Sequence, residues 1–172
     1  MAKEPAEAKK PTKTVNYFMK FDGIRGEVAD VIHENQIRLY SWNWCAHNFS
    51  SVASGGGSGA GKVSLDDFSF IAQFDRSANQ LFKSICQGTH ITTGIVSAEK
   101  AGSFTLPWLQ MTFKGLFITR IQNAANWADE TPAVEVAFSF EEFAMEYRVQ
   151  KGDGTLNSTG PVTYNRKENK LS

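Results

Sequence analysis

The sequence predicts a mainly β domain: a small β-barrel of two curved antiparallel sheets with one flanking α-helix. Three observations point there. Most of the chain alternates apolar and polar residues with period two, as in Leu109, Met111 and Phe113 or Val134, Val136, Phe138 and Phe140. A single segment, 75–88, carries helical spacing instead. The apolar phase also slips by one residue at two acidic pairs, Asp66-Asp67 and Glu141-Glu142. A one-residue slip would turn every following side chain to the other face, so a β-bulge or a bend between sheets is expected at Asp66-Asp67 and a second β-bulge at Glu141-Glu142. Repeated bulges suit a closed or sharply curved sheet.

The elements follow in order. Residues 1–14 are rich in Lys, Glu, Ala and Pro and lack an apolar core, so they read as a disordered charged tail and not as a secretory signal. Residues 15–172 then form one domain. The first strand spans 15–21 and ends at the turn signal Asp22-Gly23. Residues 36–44 form the next, with Arg38, Tyr40, Trp42 and Trp44 on one side and Ile37, Leu39, Ser41 and Asn43 on the other. The aromatic side is large enough to need burial, in the barrel or under a neighbouring subunit. The run SVASGGGSGAG, 51–61, is a loop too glycine-rich to hold regular structure alone.

In 75–88, Asp75 or Ser77 can cap the first turn, and Leu81, Phe82, Ile85 and Cys86 form an apolar stripe. Gly88 is the expected stop. Strands resume at 91–99, 109–114 and 117–121, with Gly115 interrupting the last two. After a polar loop at 123–132 come the alternating runs 134–140 and 143–149, then a short strand near 162–164. No internal repeat is visible.

Composition narrows the function. The 18 basic and 18 acidic side chains cancel, whereas a nucleic-acid binder needs an excess of Lys and Arg. No run reaches the ~18 apolar residues of a membrane helix, so no stable membrane insertion is expected. Cys45 and Cys86 read as free thiols, with Cys86 buried and inert on the apolar side of the helix. Gly56 to Lys62 fits GxxxxGK, but Val63 stands where a phosphate loop needs Ser or Thr, and a strand follows where a helix should. His33, His47 and His90 show no metal-ligand spacing and neither Cys lies in a CxxC, so no metal and no cofactor is expected. Cys45 is the better candidate for a Cys-His nucleophile. The adjacent carboxylates point to opposite strand faces and make no acid-base pair.

Several stretches together resemble the haemolysin-coregulated protein (Hcp) family of type VI secretion. They are FMKFDGIRGE at 18–27, with Gly26, Glu27 and Asp30 in place; His33 followed by QIRLYSWNW; GGGSGAGKVSLDDFSF; DRSANQLFKSICQGTHI; KAG at 100–102; and FEEFAMEYRVQKGDG. They occur in the family's order and run from Phe18 to about Pro161. The chain departs from the pattern in its longer charged N-terminus, in Val28 where Ser is usual, and in a C-terminus, TYNRKENK, without the frequent tryptophan.

The resemblance implies a β-barrel with a flanking helix, assembled six to a ring. Rings stack into a tube inside a contractile sheath, tipped by a spike protein, and the lumen carries small effector proteins. It implies a structural and carrier protein rather than an enzyme. The protein would be held in the bacterial cytoplasm during assembly and then secreted without a cleavable signal. Within that frame Ser51, Ser54, Gly55, Gly56, Gly57, Ser58, Gly59 and Lys62 are expected to form the inter-ring stacking contact. Asn43 matches a position the family turns toward the lumen, although it shares a face with Ile37 and Leu39, which are more often core residues. Two rivals make different demands: a monomeric barrel binding a small apolar ligand needs an internal pocket, and an enzyme using Cys45 or a carboxylate needs a concave site.

Overall fold

The computed structural model describes residues 15–48, 63–100, 106–125 and 131–172. The charged tail at 1–14 and the glycine-rich loop at 51–62 lie outside the described residues. The elements in chain order are β1 (Val15–Phe21), β2 (Ile37–Asn43), β3 (Ala46–Asn48), β4 (Val63–Leu65), β5 (Phe68–Gln73), α1 (Arg76–Gln87), β6 (Ile91–Lys100), β7 (Leu109–Ala124), β8 (Ala133–Ser139), β9 (Glu142–Gln150), β10 (Leu156–Ser158), β11 (Val162–Asn165) and β12 (Lys170–Leu171).

The barrel closes because β7 is long enough to serve two sheets. Its first half pairs with β6 on one side and β9 on the other; its second half pairs with β8. The circuit β7-β6-β1-β2-β5-β8 therefore returns to β7. Beyond it, β9 carries the sheet out to β11 and β12, with β10 also on β9. The strands expected at 109–114 and 117–121 are thus one, running through Gly115.

The phase slips have specific causes. Asp66-Asp67 is a bend between sheets, since β4 pairs only with β3 in a separate ribbon while β5 belongs to the barrel. Glu141 marks the step from β8 in the barrel to β9 in the flanking sheet, not a bulge within one strand. The register irregularities fall elsewhere, between Leu39 and Ser41 in β2 and between Ile118 and Arg120 in β7. The first corrects the face assignment of 36–44. Ile37 and Leu39 are buried, but past the bulge Trp42 and Trp44 pack on the core and Asn43 is exposed.

Aromatic rings fill the barrel interior. Phe68, Phe70, Phe113 and Phe138 are each 1% exposed or less. Phe68 and Phe113 lie 4.9 Å apart, and Trp42 stacks on Phe68 at 5.8 Å. Such contacts bury large areas in offset and edge geometries.

The helix packs on β7. Asp75 caps it by accepting from the Ser77 amide, and Gly88 ends it in the left-handed conformation at φ 60°. The buried face is Ser77, Ala78, Leu81 and Ser84. Phe82 is 59% exposed and Cys86 is exposed, so neither belongs to the buried stripe and the expected burial of Cys86 does not hold. The buried stripe is therefore turned toward the side of Ser77 and Ser84. No helix among the described residues is long and apolar enough to cross a membrane.

Candidate assembly surface

In β9, Phe143, Met145, Tyr147 and Val149 share one face by alternation. Phe143 is buried in the barrel core, touching Phe113 at 5.3 Å. The strand then runs past the barrel wall, and the same face emerges without cover: Met145, Tyr147 and Val149 are 38%, 47% and 47% exposed. Val162 of β11, 50% exposed, stands directly opposite Met145. Trp108 meets Tyr147 edge to face at 5.9 Å. The result is a contiguous apolar sheet face of the kind that marks an association surface.

The flanking sheet is anchored by Arg166. Its guanidinium donates to the Phe140 carbonyl at 3.0 Å and to the Leu65 carbonyl at 3.1 Å, and lies 5.1 Å above the Phe140 ring. Beside it, Lys167 pairs with Glu141 at 2.6 Å. That bond, together with the nearby positive charge, holds the Glu141 carboxyl below the usual glutamate range. Asp153 is lowered in the same direction by hydrogen bonds from the Thr155 hydroxyl and amide.

A second constellation joins the segment after β1 to the helix. Gly26 donates its amide to Asn35, and Arg76 returns a hydrogen bond to the Gly26 carbonyl at 2.7 Å. Glu27 accepts from the Arg76 amide at 3.1 Å, while its own amide donates to Asp75 at 3.0 Å. Two carboxylates, Asp75 and Glu27, thereby satisfy amides at the helix start that would otherwise be orphaned. The Gly-Glu pair was legible as a motif, but its task became visible only with the helix docked.

Each residue with chemical potential can now be placed. His33 is buried, stacked on Phe18 at 3.8 Å and bonded to Glu99 at 2.8 Å. His90 is exposed against the Phe117 ring at 5.0 Å. Asn43 lies at the end of β2 opposite Ser69, beside a shallow groove with Ser41, Ile71 and Glu135. Cys45, His47 and Asp66, scattered in sequence, come together on the β3–β4 ribbon. The eight residues expected to stack rings, from Ser51 to Lys62, lie outside the described residues. Arg166 and the exposed half of β9 were missed: alternation alone cannot separate a face covered by the chain's own core from one left open.

The geometry agrees with the relatives. The family model described as type VI secretion system effector, Hcp, matches residues 18–147. The Hcp1 protein of Pseudomonas aeruginosa is 29% identical over 151 residues, spanning 87% of this chain and 93% of that protein. The crystal structure of Hcp1 from Salmonella typhimurium superposes with a TM-score of 0.76 at 31% identity, over 92% of this chain and 99% of its own. A structure described as a type six secretion system protein gives a TM-score of 0.85 at 21% identity, covering 91% and 99%, and is a likeness of fold.

Proposed function

This chain belongs to the Hcp family of type VI secretion proteins, and from that premise we propose that six copies close into a ring and that rings stack into the inner tube of the apparatus. The tube is expelled from the producing bacterium, with a contractile sheath around it and a spike at its tip, and its lumen carries small effector proteins. The role is structural and carrier-like, with no chemical step assigned to the chain. The observation that carries this reading is the open apolar face of Met145, Tyr147, Val149 and Val162. A second copy is a fitting cover for it. Head-to-tail contact of one surface with a different one generates a ring when the rotation closes, and a chain of zero formal net charge meets little repulsion from its neighbours. Asn43, turned out of the core by the β2 bulge, is retained as a lumen residue, and 51–62 as the stacking segment.

The rival reading, a barrel binding an apolar ligand inside, has little room, since Phe68, Phe70, Phe113 and Phe138 occupy the interior. Light scattering after size exclusion, at micromolar concentration, separates the two. The expected result is the mass of six chains. Tyr147→Glu places a charge in the interface at a residue 47% exposed in the single chain, and is expected to weaken association by more than about tenfold while leaving the fold intact. A wild-type chain that stays monomeric at every concentration would overturn self-assembly into rings.

A further inference from the structure

We propose that Cys45, His47 and Asp66 form a binding site for a zinc-class divalent cation on one face of the β3–β4 ribbon. The register explains how three residues from separate places converge. Ala46 stands opposite Leu65 and His47 opposite Ser64. The pairing extends one step further, where the Asp66 amide donates to the Cys45 carbonyl at 3.0 Å, so Cys45 faces Asp66 across the strands. His47 is two residues beyond Cys45 and therefore shares its face. All three side chains are exposed on that face, and one donor atom from each lies within 4.8 Å of the others.

The distances suit a small ion. His47 Nε2 is 3.1 Å from Asp66 Oδ2. In a tetrahedral zinc site with nitrogen and oxygen near 2.0 Å and sulfur near 2.3 Å, neighbouring ligand atoms are about 3.3–3.6 Å apart. Exposed side chains reach that spacing with small rotations. The Cys45 thiol is committed to no disulfide, and its hydrogen bond, to the Ala46 carbonyl, is long at 4.0 Å. Thiolate and carboxylate together supply two negative charges to balance a divalent cation, and thiolate with imidazole selects borderline-soft metals over magnesium or calcium. Binding would release the thiol proton and leave the fourth position to water. The ion would cross-link the two strands of the ribbon, with His47 and Asp66 19 positions apart in the chain. All three protein ligands come from one chain.

The test uses the full chain, stripped with a chelator and titrated anaerobically with cobalt(II). The expected signature is a thiolate-to-cobalt charge-transfer band in the near ultraviolet with visible bands of four-coordinate cobalt, saturating at one ion per chain and bleached by zinc. Cys45→Ser should abolish the charge-transfer band. His47→Ala and Asp66→Asn should each weaken binding by at least about tenfold, the loss produced by removing even an outer-shell partner. Cys86→Ser should change nothing. Because the unmodified protein also serves as its own folded control, zinc should slow alkylation of Cys45 and leave Cys86 untouched. No charge-transfer band, a band that survives Cys45→Ser, or unprotected Cys45 under saturating zinc would overturn the site.

Discussion

A methyl group at Gly26 would have to share space with the backbone of β2's approach. The added carbon would sit 2.2 Å from the Gln36 carbonyl oxygen and 2.9 Å from the Ile37 nitrogen. Backbone cannot rotate away as a side chain would, so the clash must be relieved by moving the segment that carries Glu27 to the helix start. Gly26→Ala is therefore expected to destabilise the fold by about 2–3 kcal/mol, within the range for overpacked sites, measured as a lower urea midpoint with an unchanged slope. Asn43 teaches a different lesson at the same scale. Its face followed from alternation with Ile37 and Leu39, and one irregularity between Leu39 and Ser41 reversed it. No residue type in that stretch announces a bulge, since Tyr40 and Ser41 fit a regular strand as well.

Among the elements, α1 was the most legible, because its signals are local: a capping aspartate, a stop glycine and a helical period. Its exact buried face was not, since Phe82 and Ser84 exchange places according to where β7 lies. The C-terminal hairpin β11–β12 is the least legible element, held through the register of β11 on β9, from Val162 opposite Met145 to Asn165 opposite Glu142. Glu141 links it to the step between β8 and β9 through an exposed pair with Lys167, whose contribution to that attachment is small. Its folded pKa is depressed, chiefly by the hydrogen bond from Lys167. The contribution is therefore complete above the usual glutamate range and is lost as pH falls through the lowered folded value. Lys167→Ala is expected to return the Glu141 titration toward its ordinary position, followed by NMR of the side-chain carboxyl, and to loosen the hairpin at neutral pH relative to the parent. An unmoved titration would show that the pair does not form in solution.

For the whole molecule, barrel closure and the open sheet have one origin. β7 is sixteen residues long, so it outruns the barrel and offers its first half to β9. The strands built on β9 then lie outside the closed wall, and one of their faces has no core of its own to cover it. That geometry leaves open the apolar face we propose as the surface of association. The glycine-rich segment is the one we propose for the other direction of assembly, between rings. Deleting 55–59 is expected to leave ring mass by light scattering unchanged while reducing tube formation seen by electron microscopy; tubes of undiminished length would remove the segment from stacking.

What the sequence determined by itself was everything set by neighbours along the chain. Alternation of apolar residues specified strands, and helical spacing with its caps specified α1, because each depends on positions a few residues apart. The tertiary structure alone decided which strands pair, where β2 and β7 are irregular, that β7 closes the barrel, and that Met145, Tyr147 and Val149 stay open while Phe143 does not. It alone brought Cys45, His47 and Asp66 to one face. The physical reason is that a strand's periodicity tells only that one face seeks cover. What covers it is a contact between residues far apart in the chain, and register across that contact determines which side chains meet.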